Sequence, residues 1–386
     1  MVRLGRPTLW GLLALAAAWL GLAASAHGAD RFDVLEVNAR GPLQPVKGSD
    51  GRRHLVYELR LQNLSAQFAV EVERVDIVDA KRGRTVASLA GAALAEDMNL
   101  GDPFAVIGTT VLEPAQAATV WLHPSFAGRV PRAIRHVIHV APATGVDPAA
   151  FDLRYGRRVA TGRQRVDTRP PLLVRSPLRG RRYVAISGCC TSRHARSALA
   201  VGAHQRVSQR FAVDWVRVDA GGLPHRGDGS KLRQHHIYGE PIHAAAPGRV
   251  VRAVDRFPDT PPGERTDETV TPRRAAGNHV IIRHGPGRFA LYAHIKPGTV
   301  KVKPGQRVRA GQVIGRVGSS GNSDAPHLHF HLADRPSPLA AEGVPYRYRR
   351  YRLQGRVNDA DEVVWFARER KRRASLPLAD TVAAFP

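Results

Sequence analysis

An all-β protein is predicted by three features of this 386-residue sequence. Apolar and polar residues alternate in short runs such as His54-Leu55-Val56-Tyr57-Glu58-Leu59-Arg60-Leu61. A period of two marks a strand with one buried face. Gly, Pro and Asp clusters punctuate these runs at turn spacing. Within residues 30–160, a pattern compatible with a helix occurs only over Ala87 to Asp97.

At the start of the chain, Arg3 and Arg6 precede an uncharged apolar run from Leu9 to Leu22 and the small-residue site Ala24-Ser25-Ala26. This is the layout of an export signal over residues 1–26. The run is shorter than the roughly 20 residues of a membrane span. An uncleaved anchor is the alternative. No later stretch is long enough to cross a membrane, so no stable span is expected. The mature chain is expected outside the cytoplasm: periplasm, cell envelope or secreted.

Residues 30–160 carry alternating runs at Phe68-Ala69-Val70-Glu71-Val72, Ala118-Thr119-Val120-Trp121-Leu122 and His136-Val137-Ile138-His139-Val140. These predict a β-rich, sandwich-like N-terminal domain without a visible catalytic constellation. Residues 161–182 are rich in Arg and Pro and read as an extended connector. From Tyr183 the strand pattern returns with more glycine, defining a second β domain over 183–350. Within it, Gly277 to His284 and Ala290 to His294 predict a hairpin closed by Gly285-Pro286-Gly287. Residues 351–386 are polar and basic, ending near the run Arg368-Glu369-Arg370-Lys371-Arg372-Arg373. They read as a peripheral basic tail.

The formal net charge is +25, supplied mostly by arginine. Such a balance favours polyanions. The export signal and the lack of an aromatic-interleaved basic motif or zinc finger argue against nucleic acid. Anionic lipid and anionic wall polymers remain as candidate partners, although an arginine-rich composition alone would give the same surface. The two cysteines, Cys189 and Cys190, are adjacent. They do not make a stapled scaffold and read as structural or incidental.

The chemistry concentrates in His327-Leu328-His329-Phe330-His331. In a strand, positions two apart share a face, so His327 and His329 project together. No HExxH motif is present, so a metal site here must be built on a sheet. Asp214 lies in the apolar run Arg210-Phe211-Ala212-Val213-Asp214-Trp215. A carboxylate in that setting needs a partner, either a metal or one of the many arginines.

Four segments in order carry a family resemblance: Arg210 to Asp214, Gly239 to Val250, Gly277 to His294, and Gly311 to Ser323 leading into His327-Leu328-His329-Phe330. From about Arg182 to Tyr346 the chain resembles the lysostaphin-type (LytM-domain) zinc metalloendopeptidases. The residues before Arg182 lie outside the resemblance. It implies an antiparallel β domain (a duplicated hybrid motif) with a shallow groove. It also implies one Zn2+ and hydrolysis of peptide bonds in bacterial peptidoglycan. By position, Asp214 and His329 become metal ligands, and His294 and His327 flank the attacking water. Which of these two histidines is base and which is acid stays open.

One departure stands out. The family's usual first ligand lies four residues before the Asp, where this chain has Arg210. A guanidinium cannot ligate a cation. His194, twenty residues before Asp214, and His204, ten before it, are the substitutes. His194 matches the spacing of a branch of the family with an upstream His and an expanded loop. A broken site would instead imply a catalytically inactive LytM-like binding or activator protein of the envelope. His235 and His236 read as solvated loop residues. No role is proposed for His279, His284 or His331. Tyr238, for lining the groove, and Asn278, for ordering a nearby loop, are minor candidates.

Overall fold

Alternation in the strand Tyr57–Asn63 puts Tyr57, Leu59 and Leu61 on one face, and each is fully buried. A computed structural model describes residues 31–100, 108–264 and 271–386. The expected signal segment, residues 1–26, lies outside the described residues. Tyr57–Asn63 pairs antiparallel with Leu35–Arg40 on one side and Ala117–Leu122 on the other. A second sheet is built on Val70–Asp79 and Ala133–Pro142, which pair antiparallel. Val75, Ile77, Ile134 and Ile138 of this sheet share one core with Leu59, Leu61 and Val120 of the first. Burying each such side chain contributes about 1.5–3 kcal/mol.

The expected helix over Ala87 to Asp97 is only half present. Thr85–Ala90 is a strand paired with Val70–Asp79, and the helix is confined to Gly91–Glu96. Cross-strand pairing outranks the helix propensity of the alanines, and Gly91 at φ +57° makes the break.

Among the described residues, the second unit is an eleven-stranded sheet. Its principal strands are β1 (Gly180–Ile186), β2 (Val213–Arg217), β3 (Gly248–Val254), β4 (His279–Gly285), β5 (Arg288–Ala293), β6 (Leu328–Ala333), β7 (Tyr346–Val357), β8 (Val363–Ser375) and β9 (Thr381–Phe385). The order across the sheet is β7, β9, β1, β2, β6, β5, β4, β3, with β8 paired to β7. The predicted hairpin is β4–β5, in antiparallel register. The core beneath is aromatic: Trp215, Tyr292, Phe330, Tyr346, Tyr348 and Phe385 belong to one cluster.

Two sequence expectations need correction. The basic tail is not peripheral. Its last strand, β9, lies between β7 and β1, with Val382 and Ala383 fully buried and Phe385 4% exposed. Apolar residues there suffice for a central strand, while the charge run falls largely on the exposed face of β8. The connector is not free either, because Leu172–Val174 pairs in parallel with β7. Pro170 and Pro171 precede that strand and so remove no donor from its ladder.

The units are joined through backbone and core. Leu376 N–H donates to Lys47 O at 2.8 Å and Arg372 Nε–H to Ser49 O at 2.6 Å. Val46 and Val56 of the first unit belong to the core of the second. No helix among the described residues is long and apolar enough to cross a membrane.

Candidate metal centre

Asp214 on β2 and His329 on β6 are directly opposed in antiparallel register. Their side chains therefore meet on one face, and His329 Nδ1 lies 2.8 Å from Asp214 Oδ1. His327, just ahead of β6, brings Nε2 to 3.6 Å from the same oxygen. His194 arrives from the loop between β1 and β2, with Nε2 3.4 Å from Asp214 Oδ2. The possible ligand atoms of His194, Asp214 and His329 all lie within 4.8 Å of one another.

His294 immediately follows β5, where Ala293 opposes His329. It takes φ +61°, unusual for a residue with a Cβ, at a cost of about 1–3 kcal/mol. Its Nδ1–H donates to Ser320 O at 2.8 Å. Two glycines allow the backbone to cross there. A Cβ on Gly277 would come within 2.1 Å of Ser320 O, and one on Gly321 within 2.4 Å of Gly277 N. Asn278, fully buried, ties the same crossing together. Its Oδ1 accepts from Arg256 N and Phe257 N at 2.8 Å, and its own N–H donates to Ser320 Oγ at 2.9 Å. The ring centroids of His294 and His327 are 4.5 Å apart.

Electrostatics follow from this packing. Burial alone would raise the Asp214 carboxyl. The imidazoles of His194 and His327 beside it, with the His329 hydrogen bond, hold it well below the usual carboxylate range. Burial pushes His194 down to about 4 and His294 well below the ordinary imidazole value. Among the described residues no arginine pairs with Asp214; its ion-pair partners are His194, His327 and His329. The two short approaches to Asp214, from His329 and His194, bracket the roughly 3.3 Å ligand–ligand edge of a tetrahedral zinc site. One carboxylate and two imidazoles are the donor set such an ion takes, and the residues present fit it. An open hollow of about 600 Å³ lies over the group, lined among others by Arg193, His194, Asp214, His294, His327 and His329.

The remaining sequence candidates separate clearly. His204 is exposed at the start of the strand His204–Arg206 and is not in the group. The Arg210 side chain is fully buried between Glu58 and Glu342. His235 is buried rather than solvated, with Nε2 2.9 Å from Gly229 O. Tyr238 donates its hydroxyl to Asp259 Oδ2 at 2.8 Å and is not among the residues lining the hollow. His331, given no role from sequence although it shares a strand face with His329, brings its Nδ1 to 2.9 Å from His329 Nε2. The His-x-His-x-His alternation was the signal for it, since all three positions share a face. A second group, His54, His123 and Cys190, also falls within 4.8 Å. There Cys190 is joined to Cys189, and His54 Nδ1 lies 2.8 Å from His123 Nε2.

Part of the chain is similar to known proteins. The sequence model of Peptidase family M23 matches residues 229–340. That span holds His294, His327 and His329 and stops short of Asp214 and His194. The chain is 42% identical over 66 residues to the peptidoglycan DD-endopeptidase ShyA of Vibrio cholerae, covering 17% of this chain and 15% of ShyA. It is 28% identical over 116 residues to the cell division protein DipM of Caulobacter vibrioides, covering 30% of this chain and 16% of DipM. The match thus spans about a sixth of the length of these relatives. Among solved structures, the catalytic domain of the prophage-encoded M23 protein EnpA from Enterococcus faecalis aligns at 23% identity and TM-score 0.27. That alignment covers 44% of this chain and 92% of EnpA's. The chain carries, over residues 229–340, a peptidase family M23 domain of the LytM type.

Proposed function

We propose that the chain is an exported zinc metalloendopeptidase that hydrolyses peptide bonds in bacterial cell-wall peptidoglycan. The observation that carries this reading is the convergence of His194, Asp214 and His329 under an open hollow, with His294 and His327 beside them. His194, Asp214 and His329 would hold one Zn2+. When bound, the ion supplies Lewis-acid polarisation of the scissile carbonyl and lowers the pKa of a water toward about 7.

The proton work falls to His294 and His327. Each donates Nδ1–H to a backbone carbonyl at 2.8 Å, Ser320 O and Ala325 O respectively. In the neutral ring, that bond leaves Nε2 as the proton-accepting nitrogen. One would take the proton of the attacking water at Nε2 and pass that proton on to the leaving amine; the other, protonated at Nε2 from solvent, would donate a hydrogen bond to the developing oxyanion. The export signal and the peptidoglycan activity named for ShyA support a wall substrate. Anionic wall polymers are proposed as a second class of partner, supported by the exposed Arg350, Arg352, Lys371 and Arg373 on the β7–β8 pair.

The test is metal content of the mature protein and of variants, followed by digestion of purified sacculi. One zinc per chain is expected in the parent, lost in Asp214→Ala and His194→Ala. His294→Ala and His327→Ala should keep the zinc and lose about 10²–10⁴-fold in cleavage rate. A zinc-loaded parent that leaves sacculi and cross-linked peptides intact sinks the reading. A parent that takes up no zinc favours instead the inactive binding or activator role, for which Arg210 in the position of the family's usual first ligand is the motive.

A further inference from the structure

His194 differs from Asp214 and His329 in what supports it. The latter two lie on paired strands, whereas His194 lies on the long segment 187–212 that joins β1 to β2. A connection of that length needs support beyond its own hairpin, Leu199–Val201 with His204–Arg206, and its internal turn hydrogen bonds. Contacts with the first unit hold it on both sides of His194. Arg196 forms an ion pair with Asp97, the residue that ends the short helix Gly91–Glu96. Ala198 and Val207 pack against Trp121, and none of the three is more than 5% exposed. Trp121 is itself oriented by its Nε1–H donating to Asn99 Oδ1 at 2.8 Å. Before His194, Cys190 abuts His54 and His123. At the far end, Arg210 is locked to Glu58.

We infer that the unit formed by residues 31–166 is a built-in scaffold of the metal centre, with Asp97 and Trp121 as positioning residues that hold His194 against Asp214. This rests on the peptidase reading and deepens it. A cover over the site would line the hollow, yet among the described residues every lining residue lies at Ser187 or beyond. The first unit grips the ligand loop from behind. Released from that grip, the loop must be ordered at the moment the ion binds, and the ordering cost is subtracted from affinity.

The experiment uses the full mature chain with Asp97→Asn, Arg196→Gln, Arg196→Lys and Trp121→Ala. Zinc affinity is read by competition with a chromophoric chelator, and loop order by amide hydrogen exchange of the metal-free protein. Asp97→Asn and Arg196→Gln are expected to weaken zinc binding about 10–100-fold, the range seen when support behind a metal ligand is lost. Exchange should rise within 187–212 while the metal-free melting temperature stays at the parent value. Arg196→Lys, which keeps the ion pair, should retain most of the affinity; a purely structural role would not give that split. Parent-like affinity and exchange in both Asp97→Asn and Trp121→Ala, in a parent that binds zinc, overturn the inference alone. A parent that takes up no zinc overturns it together with the peptidase reading.

Discussion

Arg210 occupies the position at which the sequence resemblance expects a histidine ligand, and its own chemistry excludes it from that role. Its actual partners were out of reach of the sequence. Glu58 lies 152 residues earlier and Glu342 lies 132 later, so the contact exists only once both units have folded. The choice between His194 and His204 is similar. Spacing favoured His194, but only the path of the loop leaves His204 exposed and brings His194 to 3.4 Å from Asp214. Burying a guanidinium is costly, and two carboxylates offset that cost. Removing one of them leaves the charge short of a partner. Glu58→Gln is therefore expected to destabilise the protein by about 3 kcal/mol or more, in line with broken buried pairs. Replacing both members, as Glu58→Gln with Arg210→Met, should cost less than the sum of the singles. Urea unfolding of the four proteins gives the comparison. Additive losses would mean that the pair is not energetically coupled.

Strands with one wet face were legible, and strands identified by tertiary context were not. The β4–β5 hairpin announced itself through alternation and a Gly-Pro-Gly turn. The β9 sequence, Thr381-Val382-Ala383-Ala384-Phe385, is short and follows a charge run, so it read as tail. Its place is decided by partners that sequence order does not reveal: β7 on one side and β1 on the other. Phe385 shows how much rests on it. Its ring meets Trp215 edge-on at 5.1 Å and lies 5.6 Å from Tyr348 and 5.8 Å from Tyr183. Phe385→Ala should therefore cost about 3–5 kcal/mol, the range for an aromatic removed from a packed core. Denaturant midpoints measure this directly. A loss below about 1 kcal/mol would show that β9 contributes little to the sheet, as the tail reading supposed.

The excess of positive charge could be read from composition, but its placement could not. In the β7–β8 pair, Arg350 stands opposite Arg373 and Arg352 opposite Lys371, and all four are exposed. Like charges directly across a ladder destabilise it. Glu369 relieves this in part by pairing with Arg352 and Arg181. Among the described residues, Arg350, Lys371 and Arg373 have no carboxylate partner. Adjoining hollows of about 510, 500 and 350 Å³ share these side chains and form one basic furrow. The aromatic residues at its floor, Tyr351 and Phe385, are buried, which leaves no stacking platform for bases. The furrow begins near Gly180, whereas Ile186 at the other end of β1 opposes Asp214. Six residues of strand separate the two ends by roughly 20 Å. The proposed polymer binding and the proposed cleavage are therefore separable by mutation. The triple variant Arg350→Gln/Lys371→Gln/Arg373→Gln should lose affinity for a linear poly(glycerol phosphate) and show a shallower dependence of binding on salt, because fewer counterions are exchanged. Its hydrolysis of a short cross-linked wall peptide should match the parent, since none of the three lines the hollow over the metal centre. Equal polymer binding by parent and variant would disperse the interaction over the whole +25 surface and leave the furrow without a role.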